Sequence, residues 1–214
     1  MIFVPSLNHG DVYVRSIRPR DTRPLGKLLK ANRSWLEKWE ATIPGYSAMP
    51  PVGDIIRSLL RLARHNQAAP FVIEYKGDVV GQITVSGLSF GSLASGSIGY
   101  WISQEVAGRG ITPTAVALVA DWCFTGLGIH RVEICIRPEN AASLRIVRKL
   151  GMRYEGLRRR FIHIDGDWRD HFCFAVTIDE VPGGLLARLT RGTADERLAD
   201  IPEADLIAAR TPIR

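Results

Sequence analysis

The stretch Ala107-Gly108-Arg109-Gly110-Ile111-Thr112 decides the fold. An apolar, strand-like run precedes it and a helical pattern follows it. Small residues let the backbone approach a ligand closely, and the free N–H groups and the dipole at a helix start favour an anion. The stretch therefore predicts a cradle for a pyrophosphate group, and its predicted members are Gly108, Arg109, Gly110, Ile111 and Thr112.

A second motif, Asn140-Ala141-Ala142-Ser143, opens the next helix and places an amide and a hydroxyl at its start. We expect Asn140 to cap this helix and Thr112 to cap the preceding one. Two other phosphate motifs are excluded. A P-loop would need Gly-Lys-Ser/Thr after four residues, and a Rossmann fingerprint would need a glycine where Pro113 stands.

The composition describes a folded protein: 46% of its 214 residues are hydrophobic and its net charge is +6. All but five of the 28 cationic side chains are arginine, which suits a phosphate-rich cofactor or a ribonucleoprotein partner. No zinc-finger or RNA-recognition motif is present, so direct sequence-specific binding of nucleic acid is not expected.

Three observations concern the compartment. No apolar run reaches 18 residues, so no membrane association is expected. The first residues, Met1–Pro5, lack the pattern of a secretion signal. Cys123, Cys135 and Cys173 are odd in number and form no C-x-x-C pair, which favours buried thiols in a reducing cytoplasm.

The apolar pattern predicts a strand, two or three helices, three strands, a helix, a strand, a helix and two strands. Lys76-Gly77-Asp78 and Asp165-Gly166 are hairpin signals, and Asp21 and Asp54 stand where helix caps belong. Because hairpins are mixed with helical crossovers, we expect an α/β fold with a mixed, predominantly antiparallel sheet flanked by helices.

The chain is expected to divide near residue 180. Residues 1–180 carry all of the predicted sheet. Residues 181–214 are punctuated by Gly and Pro but contain Leu185, Leu186 and Leu189. They predict a short helix packed on the core, followed by a poorly ordered tail.

Several segments together resemble the GNAT N-acetyltransferases, and within them the RimJ/RimL branch on its RimJ side. The resemblance spans roughly Asp11 to Asp179. It departs from the GNAT pattern at Ala107, where the family has Gln or Arg, and at Thr112, where it has a smaller residue. The segments that carry it, in chain order, are Gly99-Tyr100-Trp101-Ile102, Gly108-Arg109-Gly110, Arg137 to Ser143, Leu150-Gly151-Met152, Glu155-Gly156 and Ile164 to His171.

The resemblance implies the GNAT fold and direct acetyl transfer from acetyl-CoA to an amine in a ternary complex. It implies that pantetheine pairs with the strand before the glycine loop, through the backbone of Trp101, Ile102 and Ser103. It further implies that Asn140 holds the pantetheine arm and that Ser143 gives a proton to the departing sulfur.

The general base is less clearly indicated. RimL-like members carry a Glu on the strand after Glu155-Gly156, where this chain has Ile162. Glu40 is the first substitute and Glu133 the second. An α-amine has a pKa near 8, so even a weak base suffices. No metal is expected, because Asp165-Gly166-Asp167 is a turn and no metal-ligand spacing occurs elsewhere.

The resemblance also implies the acceptor: the N-terminal amine of a ribosomal protein, starting with Ala or Ser, with possible association with the ribosome. Trp35–Glu40 and Ile43–Gly53 are expected on the acceptor side. Two alternatives stay open. One is a small-molecule amine acetyltransferase for an aminoglycoside or polyamine, which would need several carboxylates. The other is a CoA-binding docking module without catalysis, which a transfer assay would distinguish.

Overall fold

The computed structural model describes residues 5–45 and 49–211. Within this part of the chain, eight strands and seven helices follow the predicted order, with a short first strand added. The strands are β1 (Leu7–His9), β2 (Val12–Ser16), β3 (Ala68–Tyr75), β4 (Asp78–Ser89), β5 (Ser95–Ile102), β6 (Arg131–Ile136), β7 (Arg153–Ile164) and β8 (Asp167–Thr177). The helices are α1 (Thr22–Ala31), α2 (Arg33–Leu36), α3 (Val52–Arg64), α4 (Ile111–Leu127), α5 (Ala141–Leu150), α6 (Leu185–Arg191) and α7 (Glu203–Arg210).

The strands form one sheet in the order β1-β2-β3-β4-β5-β6-β8-β7. Among the described strands, β5 and β6 are the one parallel pair, and they pair only from Ser95 to Ser97 on β5. Beyond Ser97 the two strands diverge, so the middle of the sheet opens into a wedge. The predicted α/β fold with a mixed, mostly antiparallel sheet is confirmed.

Helices cover the two faces of the sheet unequally. Helix α4 packs on the larger core, where Phe71, Ile83 and Phe174 are fully buried. Its first twelve residues or so are buried on nearly every side, which explains its predominantly apolar sequence. A smaller core on the opposite face joins Leu25 of α1 to Ile56 of α3. The helices thus leave the wedge between β5 and β6 accessible from the α1–α3 side.

Two predicted helix caps are wrong. Helix α3 begins at Val52, so Asp54 lies inside its first turn and pairs with Arg57. Helix α4 begins at Ile111 after a left-handed Gly110, and Thr112 is buried in its first turn. In each case the chain enters the helix earlier than the polar residue suggests.

Asp21 is the N-cap residue of α1, at the predicted position, but its side chain accepts no hydrogen bond from that helix. Its two carboxylate oxygens accept hydrogen bonds from the guanidinium of Arg15, each at 2.9 Å, and one also accepts from the Arg18 backbone N–H. The side chain of Asp21 is 3% exposed. The Arg15 ion pair and these hydrogen bonds hold the pKa of Asp21 below its ordinary value despite burial.

Both hairpin predictions are confirmed by positive φ angles in the turns. Lys76 and Gly77 have φ values of 53° and 92°, and Asp165 and Gly166 have φ values of 51° and 77°. Two positive φ angles in succession match the right-handed twist of the flanking strands. The predicted loop at Ile43–Gly53 ends earlier, at the start of α3, and residues 46–48 within it lie outside the described residues.

The C-terminal segment packs as helices on the same core. Leu185 in α6 is fully buried, and its N–H donates to the carboxylate of Asp121 in α4 at 2.6 Å. Tyr154 donates to Asp205 of α7 at 2.7 Å. Where we expected a poorly ordered tail after one short helix, the structure has a second helix that reaches Arg210. The expected tail residues 212–214 lie outside the described residues.

Candidate active site

The wedge between β5 and β6 forms a cleft of about 410 Å³. Its walls come from the region of α2, from the middle strands, from the start of α5 and from the β7–β8 hairpin. The lining includes Leu36, Trp39, Glu40, Gln82, Tyr100, Trp101, Cys135, Arg137, Asn140, Ser143, Ile162 and His171. The structure thus brings together four of the predicted site residues: Glu40, Trp101, Asn140 and Ser143.

The open edge of β5 presents backbone groups to the wedge. The N–H of Ser103 donates to Val80 of β4 at 2.8 Å. Since successive N–H groups of a strand point to opposite edges, those of Ile102 and Tyr100 point away from β4. We expected the backbone of Trp101, Ile102 and Ser103 to be available. Because of this alternation, only Ile102 of these three residues has an N–H group that faces the wedge, and Tyr100 has another.

Trp35 and Asn32 tie the helical corner between α1 and α2 to the end of β5. The indole N–H of Trp35 donates to the carbonyl oxygen of Ile102 at 3.2 Å. The Oδ1 atom of buried Asn32 accepts from the Gln104 N–H at 2.8 Å and from the Ser103 hydroxyl at 3.3 Å. These contacts were missed by the sequence analysis, because no local pattern connects residues about 70 positions apart.

The glycine loop has the open backbone that the sequence predicts. Gly108 and Gly110 both have φ values of +81°, and a Cβ built on either would meet nothing within 4 Å. Gly110 is the N-cap residue of α4, whose first intrahelical backbone bond runs from Thr114 N–H to Gly110. The N–H groups of Ile111 and Thr112 are therefore left free of that ladder. This exposed helix start fits a phosphate group.

The start of α5 is shaped by a side-chain cap. The Oδ1 atom of Asn140 accepts from the Ser143 N–H at 3.0 Å, which confirms the predicted cap and leaves the amide Nδ2 of Asn140 for another partner. The Ser143 hydroxyl lies 2.6 Å from the hydroxyl of Tyr100 on β5. Burial raises the pKa of Tyr100 to about 12, so its hydroxyl stays neutral at pH 7.

Tyr100 lies in the motif Gly99-Tyr100-Trp101-Ile102, but the sequence analysis assigns no role to its side chain. The period of two in β5 places it on the α4 and α5 side of the sheet, where it packs against the larger core. Helix α5 starts over the same region. The structure therefore forms a Tyr100–Ser143 pair across the wedge, which neither motif indicates by itself.

The wall of the cleft formed by residues 39–42, part of which we expected on the acceptor side, is held from two directions. Arg137 donates from Nη1 to the carbonyl oxygen of Lys38 at 2.6 Å, and its guanidinium carbon lies 5.5 Å from the centre of the Trp39 ring. On the other side the Thr42 N–H donates to the carbonyl oxygen of His163 at 2.8 Å. The wall therefore links β6 to β7 across the mouth of the wedge.

The two candidate bases occupy different environments. Glu40 lines the cleft, its side chain is 15% exposed, and Oε2 accepts from Arg33. Glu133 lies on β6 outside the lining residues and pairs with Arg158 at 2.8 Å and Arg131 at 3.5 Å. Among the described residues that line the cleft, Glu40 is the one carboxylate.

Three side chains of the β7–β8 hairpin reach the cleft: Ile162, Ile164 and His171. Ile162, at the position where RimL-like members are expected to carry a Glu, presents a hydrocarbon side chain to the lining. His171 of β8 lines the same cleft and is 3% exposed. Strand alternation could have found His171, since Phe172 and Phe174 occupy the opposite, core-facing side of β8.

The cysteines are partly brought together. Cys135 and Cys173 are directly opposite on β6 and β8, and their Sγ atoms lie 3.1 Å apart as free thiols. Cys123 is buried alone within α4.

Within residues 5–45 and 49–211, no three His, Cys, Asp or Glu side chains are grouped as a metal site would require. No helix of the same ranges is long and apolar enough to cross a bilayer.

A wedge between β5 and β6, a glycine loop opening α4 and a hydroxyl at the start of α5 define an acetyltransferase fold. The model of the acetyltransferase (GNAT) domain matches residues 11–153, and the chain belongs to this family. The family is a class of acetyl-CoA-dependent acyltransferases, and acetyl-CoA is its co-substrate. Within the family the chain falls in the RimJ/RimL branch.

Three proteins of known name are similar to this chain in sequence or structure. RimJ of Mycobacterium smegmatis, solved in complex with CoA-disulfide, is 36% identical with a TM-score of 0.81, covering 89% of this chain and 94% of that one. The [ribosomal protein uS5]-alanine N-acetyltransferase of Escherichia coli is 29% identical over 79% of this chain and 90% of the relative. The probable N-acetyltransferase YjcK of Bacillus subtilis is 35% identical over 46% of this chain. The chain spans about half of YjcK, 54%.

Proposed function

We propose that the protein transfers the acetyl group of acetyl-CoA to the N-terminal α-amine of a protein, with a ribosomal protein that starts with Ala or Ser as the acceptor. The observation that carries this proposal is the cleft itself. It joins the open edge of β5 to a wall in which, among the residues that the structure describes, Glu40 is the one carboxylate. One carboxylate matches one ammonium group.

The residues present fit coenzyme A. The open backbone at Gly108 and Gly110, with the free N–H groups of Ile111 and Thr112, would hold the pyrophosphate, and Arg109 adds a cation at the exposed rim. The N–H groups of Tyr100 and Ile102 and the free amide of Asn140 would hold the pantetheine arm. In this arrangement the arm replaces the missing strand contacts between β5 and β6.

The transfer step needs a proton donor for the sulfur. The acceptor nitrogen attacks the thioester carbonyl carbon and gives up one proton, the C–S bond breaks, and the sulfur takes the proton of the Ser143 hydroxyl, which Ser143 regains afterwards from water. Tyr100 is a positioning residue for this step: its hydroxyl, 2.6 Å from that of Ser143, holds the serine at the wedge. A donor whose contact strengthens as charge develops on sulfur favours the transition state over the bound substrate.

The lining also favours an N-terminal amine over other amines. A polyamine or an aminoglycoside carries several positive charges, and the one carboxylate of the described lining can balance only one of them. A lysine side chain has a pKa near 10.4, against about 8 for an α-amine, so less of it is neutral at pH 7. The small first residue leaves the amine free to reach the thioester.

The names of the relatives support the ribosomal acceptor. Both the Escherichia coli enzyme and a structure from Vibrio fischeri, 28% identical to this chain, are described as acting on an alanine of ribosomal protein S5. An enzyme that modifies ribosomal proteins would act in the cytoplasm, and the excess of arginine suits contact with a ribonucleoprotein.

An acceptor panel tests the proposal. The protein and acetyl-CoA are incubated with three amines: a peptide that starts with Ala, spermidine, and an aminoglycoside. Acetylation is measured by mass spectrometry, alongside CoA release in the absence of any acceptor. We expect transfer to the peptide. Transfer only to the small polycations would contradict the proposal, and binding of CoA without any transfer would show a docking module.

A further inference from the structure

His171 lines the cleft, and the chemistry proposed above gives its imidazole no role. It lies on β8, on the sheet face that also carries Cys173, and it lines the cleft together with Asn140 and Ser143. The ring is 3% exposed and packs edge-on against Phe161, with ring centres 5.9 Å apart. Its position in the fold is therefore fixed by packing.

The hydrogen bond of His171 determines which ring nitrogen is protonated. Nδ1 lies 3.0 Å from the carbonyl oxygen of Arg169. A carbonyl oxygen only accepts, so Nδ1 carries the proton and donates it. In a neutral ring Nε2 then has a free lone pair, as a proton acceptor requires. Burial, the largest influence, lowers the pKa of His171 below its ordinary value, so the ring is neutral at pH 7.

The charges around His171 are mostly compensated. Arg137, which lowers its pKa, pairs with Glu139 at 3.2 Å. Asp170, which raises it, pairs with Arg159 at 2.7 Å. Arg158 is opposite on β7 and pairs with Glu133. Glu40, the carboxylate of the cleft, is engaged by Arg33 in the same way. Among the described cleft residues, His171 thus has a neutral ring whose Nε2 lone pair accepts no hydrogen bond.

We propose that His171 is the catalytic base, whose Nε2 takes the proton that the acceptor amine loses on acetylation. This inference rests on the proposed acyl transfer. As the N–C bond forms, the nitrogen becomes cationic and its proton passes to Nε2, while the C–S bond breaks and the sulfur takes the proton of Ser143. After the products leave, His171 releases its extra proton to water and Ser143 takes a proton from water. The protein then has the protonation state with which it started.

The test compares His171→Gln with the matched control His130→Gln. Glutamine keeps a polar side chain but cannot take a proton. His130 lies at the far end of β6, is exposed, and contacts Asp179 at 2.8 Å. We expect His171→Gln to lower kcat by about 100-fold or more, as general base catalysis typically contributes 10²–10⁴. The rise of Tm on adding CoA should be kept, and His130→Gln should match the wild type.

The pH dependence separates a base from a structural residue. Protonation of His171 removes the lone pair, so wild-type kcat should fall as the pH falls through the lowered pKa of His171, below 6.5. This inflection should be absent in His171→Gln, and added imidazole should restore part of the rate of His171→Gly. A glutamine variant with the wild-type rate and pH profile would overturn the inference.

A measurement on the wild type covers the case in which neither variant folds. Nitrogen-15 NMR of the histidine rings should show the proton of His171 on Nδ1, and the NMR titration should coincide with the inflection in kcat. A proton on Nε2 at pH 7 would contradict the proposal. The variants are compared on whichever amine the wild type acetylates. If the wild type acetylates no amine, both the proposed function and the role of His171 are overturned. If His171→Gln acetylates as fast as the wild type, only the role of His171 is overturned.

Discussion

The part of the cleft proposed to bind CoA and the part proposed to bind the acceptor, here the CoA side and the acceptor side, are built in different ways. On the CoA side, the glycine loop and the cap of α5 are each formed within a few residues: left-handed glycines precede α4, and Asn140 caps α5 through a residue three positions away. On the acceptor side, each feature joins distant parts of the chain, as Arg137 does with Lys38 and Thr42 with His163.

The difference indicates how each side can change. A local anion site keeps its geometry as long as a short segment keeps its sequence. A wall assembled from loops and strand ends can vary without disturbing the core, and specificity commonly resides in such segments. We therefore expect changes on the CoA side to affect every acceptor equally and changes on the acceptor side to discriminate between acceptors.

The largest effect is expected from Gly110→Asp. It places a carboxylate where the pyrophosphate is proposed to bind, and a like-charge contact costs several kcal/mol. We expect CoA affinity, measured by calorimetry, to fall by about 100-fold or more. Gly91→Asp is the matched control, because Gly91 has a similar φ of +73° with open space and lies in the loop at the other end of β5. Equal losses in the two variants would mean that the site is misplaced.

Next in size is the effect of Ser143→Ala. Because the contact of Ser143 with sulfur is proposed to strengthen in the transition state, kcat should fall by about tenfold to 100-fold with little change in the Kd of CoA. Tyr100→Phe removes only the hydrogen bond that positions Ser143, so a threefold to tenfold loss is expected. A larger change in Kd than in kcat would assign both residues to binding.

A moderate effect on the acceptor side is expected from Glu40→Gln. The change removes the one carboxylate of the described lining, so KM for the peptide should rise by about tenfold, as expected for a charged hydrogen bond. The low-pH inflection should remain, since we assign it to His171. Glu37→Gln is the control: Glu37 is a 60% exposed neighbour of the same Arg33. Loss of the inflection in Glu40→Gln would identify Glu40 as the base.

The smallest effect is expected from Trp35→Phe. It keeps the aromatic ring but removes the N–H that donates to Ile102. The stability should fall by about 0.5–1.5 kcal/mol, the usual net value of a hydrogen bond. Since this bond holds the acceptor-side helices to the end of β5, KM for the peptide should change more than the Kd of CoA. Equal changes would show that the two sides are not separable.

The same contrast explains what the sequence could predict. The element order, both hairpin turns, the Asn140 cap and the open glycine loop depend on neighbouring residues and are confirmed. The caps assigned to Asp54 and Thr112 are wrong because their helices start earlier. Asp21 stands at the N-cap position of α1, but its side chain binds Arg15 instead of the helix.

The contacts that complete the cleft were beyond such an analysis. The Tyr100–Ser143 pair depends on the sheet wedge, and the placement of His171 in the cleft depends on how β8 pairs with β6. Which backbone N–H groups of β5 are free depends on which edge of the strand faces β4. The N–H of Tyr100 is therefore free, where we expected that of Trp101. The roles of Ser143, Glu40 and Glu133 stay predictions.

One peptide tests the proposed function most directly. It starts with Ala, carries a single internal lysine, and thus offers an α-amine and an ε-amine at equal concentration. After incubation with the protein and acetyl-CoA, tandem mass spectrometry locates the acetyl group. We expect it on the N-terminal nitrogen, with little on the lysine at pH 7. Acetylation mainly on the lysine would contradict the proposed N-terminal acetyltransferase.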